Sequence, residues 1–205
     1  MHYVVVDTEI EKEIPKDENG KLRWNAARSG ECGLSCAVVY DSETERYHVY
    51  DKKSIRDLVN HLRAADMVVS FNGDGFDFPL LEAIYGDKLE INVSYDILQA
   101  IWDILGKKTK GYKLNDISTR TLGISKTGEG SLAPVLWAEG RIAETIDYCI
   151  ADVWITKKLF DHIVTTGFII DIDGGKLAFN NSFCDNADEG RGNSPESNSK
   201  CFTTT

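Results

Sequence analysis

Apolar and polar positions divide the chain into short strands and longer helical faces. Tyr3, Val4, Val5 and Val6 form a β-branched apolar run, and predict a first strand over residues 2–6 that ends in acidic residues. Residues 11–30 are polar and hold Pro15 and Asn19-Gly20, so they predict an excursion from regular structure. Leu34 to Tyr40 and Arg46 to Tyr50 predict two strands of a hairpin, joined by the polar segment 41–45. From Ser54, an N-cap residue type, Ile55, Leu58, Val59 and Leu62 recur at helical spacing. Met67 to Phe71 predicts a short buried strand, and Phe78 to Tyr85 a helix after a Gly-rich turn. Asp96 can cap a helix that carries Ile97, Ile101, Ile104 and Leu105 along one side. Leu114 to Leu122 predicts a shorter helix ended by Gly123. A long helix opens at Glu139 or Gly140 and runs through Phe160, with Ile142, Ile146, Cys149, Ile150 and Val153 facing inward. A last strand is expected over 168–172.

A hairpin-rich leading sheet followed by strand–helix alternation predicts an α/β fold, with one mixed β-sheet flanked by helices. The chain has 205 residues, 42% of them hydrophobic and 27% charged, which fits one ordinary globular domain over residues 1–178. From about Asn180 onward aliphatic residues almost vanish, so 179–205 is expected to be a polar, disordered tail, or alternatively a partner-binding one. The opening apolar run is too short for a signal peptide and has no basic leader. No stretch approaches the roughly 18 apolar residues that span a membrane. The expectation is an intracellular protein, cytoplasmic or nucleoid. Five scattered cysteines with no CxxC pair are read as reduced thiols, with Cys32 and Cys36 on one metal as the alternative. The four histidines, His2, His48, His61 and His162, form no ligand spacing and are given no role.

Three acidic elements carry candidate chemistry. Asp7 and Glu9, two residues apart at the end of a strand, project to one side, where like charges are costly unless a cation lies between them. Strands also end in exposed acids for no functional reason. Asp77 follows Asn72-Gly73-Asp74-Gly75-Phe76, a turn its glycines allow, and sits near a helix start, where it can cap or bind. Tyr148 and Asp152 are one turn apart on the long helix, and Asp152 is embedded in Cys149, Ile150, Ala151, Val153, Trp154 and Ile155. A carboxylate in such surroundings needs a partner or a metal.

Together the three elements resemble the motifs of the DEDD exonuclease group, also called DnaQ-like, of the RNase H-like superfamily. Asp7-Thr8-Glu9 matches DxE; Asn72, Phe76 and Asp77 match NxxxFD; Tyr148 and Asp152 match YxxxD, the DEDDy variant. The stretch from Tyr112-Lys113-Leu114-Asn115-Asp116-Ile117 to Leu122-Gly123 is similar to a segment of the exonuclease domains of family-B DNA polymerases. The resemblance covers residues 2 to about 172 and is poorest in the excursion after Glu9.

It implies a 3′→5′ exonuclease that hydrolyses phosphodiester bonds by a two-metal mechanism. Asp7, Glu9, Asp77 and Asp152 would hold two divalent cations, Mg²⁺ or Mn²⁺, and Tyr148 would orient or help deprotonate the attacking water. The substrate would be the 3′ end of single-stranded DNA, with RNA as the rival. Thr8, Asn72 and Phe76 would meet the terminal nucleotide, and Trp24 is a weaker candidate for stacking on a base. The net charge of −10 argues against a nucleic-acid partner unless metals offset the carboxylates. Lys107, Lys108, Lys110 and Lys113 form a basic stretch, followed by Lys126, that could hold the phosphate backbone or be a solvated loop. Two other readings keep the fold: a catalytically silent nucleic-acid-binding module, and a subunit active only with a polymerase or helicase partner.

Overall fold

The computed structural model describes residues 1–126 and 132–179. Apart from Phe179, the expected tail lies outside the described residues. Phe179 is buried and its N–H donates to the Gly167 carbonyl.

Five strands form one mixed sheet in the order β3-β2-β1-β4-β5. β1 (Tyr3–Ile10), β2 (Leu34–Asp41) and β3 (Arg46–Tyr50) run antiparallel, while β4 (Met67–Ser70) and β5 (Ser94–Asp96) extend the sheet parallel to β1. Alternation along β1 divides the core between the two faces. Val4, Val6 and Ile10 enter a cluster with residues of α1 (Trp24–Arg28), α2 (Ile55–Ala64) and α3 (Asp77–Tyr85). Tyr3 and Val5 enter another, built with α4 (Ile97–Leu105), α5 (Leu114–Leu122) and α7 (Ile142–Thr166). The sheet is therefore buried on both sides, which is why β1, β2 and β4 read as near-continuous apolar runs. α6 (Leu132–Ala138) packs against α7 and β1. A small hairpin of β6 (Phe168–Ile170) and β7 (Lys176–Ala178) closes the described chain.

The expected α/β class and mixed sheet are observed. The departures concern short elements. α1 has five residues and β5 and β7 three each, too few to display a period. β1 continues through Asp7 and Glu9 to Ile10, because the acidic residues line a cleft instead of ending the strand. α7 starts at Ile142 and ends at Thr166, capped by Gly167 in the left-handed conformation. Ile142, expected to face inward, is exposed at the helix start, and Ile104 is exposed as well. Ser54 occupies the N-cap position of α2, yet its hydroxyl bonds Asp51 and makes no capping hydrogen bond.

Candidate active site

The site begins with a strand that outruns its neighbour. β1 pairs with β4 only through Tyr3, Val4 and Val5, since β4 stops at Ser70. Beyond that point the edge of β1 opens on a cleft, the usual location for a site in a sheet with parallel strands. Asp7 and Glu9 share the face of Tyr3 and Val5 and so meet α7. Thr8 points the other way, toward α3, where its hydroxyl donates to Asp77 Oδ1 at 2.5 Å. The β1–β2 register shifts between Glu9 and Ile10, an irregularity of the kind that re-aims side chains beside sites.

Asp77 is delivered by the turn between β4 and α3. Asn72 takes a left-handed conformation (φ 67°), which asparagine tolerates better than most residues. A side chain at Gly73 would collide with Ser70, whose Cβ would stand 2.5 Å away, and one at Gly75 would displace the Asn72 amide, so the turn is closed by its glycines. Asp96 holds it from outside. Its carboxylate accepts from the backbone N–H of Asn72 (2.8 Å) and Asp74 (3.2 Å) while capping α4 through Leu98 (2.9 Å) and Gln99 (3.3 Å). The expected helix cap is therefore also the anchor of the Asp77 turn. Asp96→Ala is expected to destabilise the fold by about 1–2 kcal/mol; denaturant unfolding checks this, and an unchanged midpoint would remove the anchoring role.

From the opposite side α7 presents Tyr148 and Asp152, both buried. Ligand oxygens of Asp7, Glu9 and Asp152 all lie within 4.8 Å of one another. Lys126 makes a close ion pair with Asp152 Oδ2, and its ammonium lies 5.6 Å from the centre of the Tyr148 ring. Asp152 Oδ1 is buried with no hydrogen-bond partner among the described residues. Cys149 Sγ lies 3.4 Å from the Asp7 carbonyl oxygen and 3.6 Å from its Oδ2.

Crowding and desolvation act on every acid here. Burial, then the charges of Asp152 and Asp77, push the Asp7 carboxyl well above the ordinary range. Burial, then Asp7 and Asp152, do the same to Glu9. Burial raises Asp152 although Lys126 opposes it. Asp77 is pushed up to about 7 by burial, against the lowering hydrogen bond from Thr8. Burial, followed by Asp152, Glu9 and Asp7, raises the Tyr148 hydroxyl, which therefore stays protonated.

The cleft has a volume of about 620 Å³ and is floored by Asp7, Glu9, Asp77 and Asp152. Its outer wall comes from the polar excursion, through Ile14, Lys16, Leu22 and Trp24. That segment leaves β1 and returns to β2 at one place, where Glu11 N–H donates to Gly33 O (3.4 Å) and Lys12 N–H to Cys32 O (3.0 Å). Gly33 takes a left-handed backbone (φ 68°), which favours glycine, and a Cβ there would press on the Glu11 side chain. Trp24 is 48% exposed and meets Phe76 edge to face, with ring centres 6.0 Å apart. Asn72 and Phe76 line the same cleft.

The structure thus brings together Asp7, Thr8, Glu9, Asn72, Phe76, Asp77 and Asp152, with Tyr148 buried behind them and Trp24 at the rim. It does not bring in Lys107, Lys108, Lys110 and Lys113. These lie exposed between α4 and α5, outside the cleft lining, and Lys108 stacks on Trp102 instead, 4.9 Å from its ring centre. The lysines of the cleft are Lys16 and Lys126. Sequence reasoning missed Lys126 as a partner of Asp152, and its trace was only its place after the basic stretch. What fixes it is Asn115, whose Oδ1 accepts from the Lys126 N–H at 2.7 Å. Asn115 belongs to the segment already singled out before Leu122.

The model of the RNase H superfamily matches residues 27–164. The chain belongs to the RNase H superfamily. Among solved structures it is similar to the family B DNA polymerase from the hyperthermophilic archaeon Pyrobaculum calidifontis, with a TM-score of 0.60 and 16% identity. That match covers 80% of this chain and 24% of the polymerase, so the chain spans about a quarter of its length. At such identity the likeness carries the fold. No curated protein matches the chain in sequence. The superfamily and the fold support nuclease activity in general, and RNase H-like nucleases generally use divalent metals. Among the described residues, no helix is long and apolar enough to cross a membrane.

Proposed function

We propose that this chain is a metal-dependent 3′→5′ exonuclease that shortens single-stranded nucleic acid from its 3′ end, DNA in preference to RNA. The carrying observation is the convergence of Asp7, Glu9 and Asp152, with oxygens within 4.8 Å in a desolvated cleft. Three carboxylates against the one ammonium of Lys126 leave negative charge in excess, and Asp152 Oδ1 has no partner among the described residues. Hard divalent cations match an all-oxygen donor set of this kind. Asp7, Glu9, Asp77 and Asp152 would hold two of them, Mg²⁺ or Mn²⁺. When bound, such a pair supplies an activated water and stabilises charge on the phosphate.

The remaining roles belong to the chain itself. Tyr148, kept protonated, donates a hydrogen bond to the attacking water and orients it. Thr8 holds Asp77 in place. Lys126 offers its ammonium to the phosphate from its seat on Asp152, and Lys16 does so from the outer wall. Trp24 and Phe76 hold the terminal bases, at about 1–3 kcal/mol for each stacked base and without regard to sequence. Preference for DNA is supported by the segment from Tyr112 to Gly123 that resembles one of family-B polymerases, and by the similarity in fold to such a polymerase.

The test is incubation of the full chain with 5′-labelled single-stranded DNA or matched RNA, with and without Mg²⁺ or Mn²⁺, beside Asp7→Ala. A metal-dependent ladder shortening from the 3′ end, absent in the variant, is the expected result. Failure of the wild type to cut either strand would transfer the reading to a silent or partner-dependent module.

A further inference from the structure

Three of the four histidines meet at the opposite end of β1 from the cleft, on the α2 face of the sheet, though no spacing links them. His2 precedes β1, His48 lies in β3 and His61 in α2, and all gather at Asp41, the last residue of β2. His61 Nε2 lies 3.0 Å from Asp41 Oδ2, and His2 Nε2 3.1 Å from Oδ1. One ligand atom each from Asp41, His48 and His61 lies within 4.8 Å of the other two. The rings of His48 and His61 stand edge to face, with centres 5.0 Å apart.

A hydrogen-bonded carboxylate explains part of this cluster. Asp41 Oδ1 also accepts from the N–H of Glu43 (2.7 Å) and Thr44 (3.2 Å), fixing the β2–β3 turn. Such a network accounts for His2 and His61. It does not account for His48, whose Nε2 is buried with no hydrogen-bond partner among the described residues. A buried ring nitrogen left without a partner carries a cost that a ligand would remove.

We propose that Asp41, His48 and His61 form a binding site for a Zn²⁺-class transition-metal ion, separate from the nuclease cleft. Two imidazoles and a carboxylate suit zinc, whereas Mg²⁺ and Ca²⁺ prefer oxygen donors. Tetrahedral bonds of about 2.0–2.2 Å place ligand atoms roughly 3.4 Å apart, so side-chain rotations closing about an ångström complete the site. The supporting contacts are in place. An ionised Asp41 only accepts, so in a neutral His61 ring the proton sits on Nε2 and Nδ1, 2.8 Å from Tyr50 Oη, accepts from that hydroxyl. With Nε2 on the ion, the proton moves to Nδ1 and donates to the same Tyr50 oxygen, an outer contact common at metal-bound histidines. His2 keeps the second carboxylate oxygen oriented.

The ion would join the end of β2, the edge strand β3 and helix α2. His2 and Asp7 are five residues apart along β1, which at about 3.3 Å each is roughly 17 Å. The proposal does not depend on the nuclease reading. It is tested on the full chain, stripped with chelator and then dialysed against Zn²⁺ in excess Mg²⁺. Wild type and Asp7→Asn are expected to retain one zinc, and His48→Gln and His61→Gln to lose it. Tyr50→Phe should weaken binding about 10-fold. Nitrogen-15 imidazole spectra of the wild type should show His61 changing from the Nε2–H to the Nδ1–H form on zinc addition, independent of how any variant folds. No zinc on the wild type, zinc retained by His48→Gln, or zinc lost from Asp7→Asn but kept by the histidine variants would each overturn the site. An imidazole spectrum unmoved by zinc would overturn it equally.

Discussion

Asp152→Asn is expected to lower hydrolysis of single-stranded DNA by at least about 10³-fold while the chain stays folded. The substitution keeps the size of the side chain and removes its charge. It therefore removes a donor that would hold a catalytic cation and the ion pair that positions Lys126. Loss of cation stabilisation at the reacting phosphate is worth several kcal/mol, and each 1.4 kcal/mol or so is tenfold in rate. Tyr148→Phe should cost less, about 10²-fold, because the metal-binding carboxylates remain and only the orienting hydroxyl is lost. Single-turnover rates at saturating Mg²⁺ or Mn²⁺, with thermal melts as the control for folding, separate the two variants. An Asp152→Asn protein within tenfold of wild type would refute the proposed role of α7. Among the described residues lining the cleft there is no histidine, so the rate is not expected to fall by protonation of a catalytic imidazole. A rate that titrates near the histidine range and ignores Tyr148→Phe would overturn the tyrosine assignment.

Without divalent metal, the protein is expected to lose stability as pH rises from about 4 to about 7. Burial raises the carboxyls of Asp7, Glu9, Asp77 and Asp152 in the folded state, that of Asp77 to about 7. Unfolded acids titrate near 4. The folded state thus binds more protons in this window, so stability is full at its acid end and declines as pH climbs through the folded values. The melting midpoint of the metal-free protein should therefore fall as pH rises across this window. Asp7→Asn removes one of the crowded charges, and in chelator at neutral pH it should melt higher than wild type. Mg²⁺ or Mn²⁺ should raise the wild-type midpoint and leave that of Asp7→Asn little changed. A wild-type midpoint that is flat across this range, or insensitive to both metals, would show that the acids are not held together at a cost to stability.

The parts legible in the sequence were those that local periodicity controls. Period two put Asp7 and Glu9 on one face of β1, and the spacing of four put Tyr148 and Asp152 on one face of α7. The glycines of the Asp77 turn announced a sharp bend, and the packing distances at Gly73 and Gly75 explain why. What periodicity does not reach is where loops return. Lys126 sits beside Asp152 because Asn115 holds its backbone, a contact between a helix start and a loop. The lysines at 107–113 illustrate the converse, since a run of charge announces exposure but not the face it is exposed on. The three histidines meet only because strand order sets β3 and β2 beside β1 and lays α2 over them. β5 and α1 escaped notice because three and five residues are too few to express a period.

The excursion over residues 11–33 has both feet on one spot of the sheet, clamped where Glu11 meets Gly33 and Lys12 meets Cys32. Ala27 and Cys32 pack in the core, so it is the part before α1 that can change in length at a modest cost in chain entropy, which grows only slowly with loop length. The excursion supplies the outer wall of the cleft, including Lys16 and Trp24, but none of the four acidic residues of the floor. In the proposed function, Lys16 and Trp24 of this segment meet the substrate, while the acids that would hold the metals stand on β1, α3 and α7. A graft of the loop from another member of the superfamily would be a route to new substrate preference on an unaltered hydrolytic base.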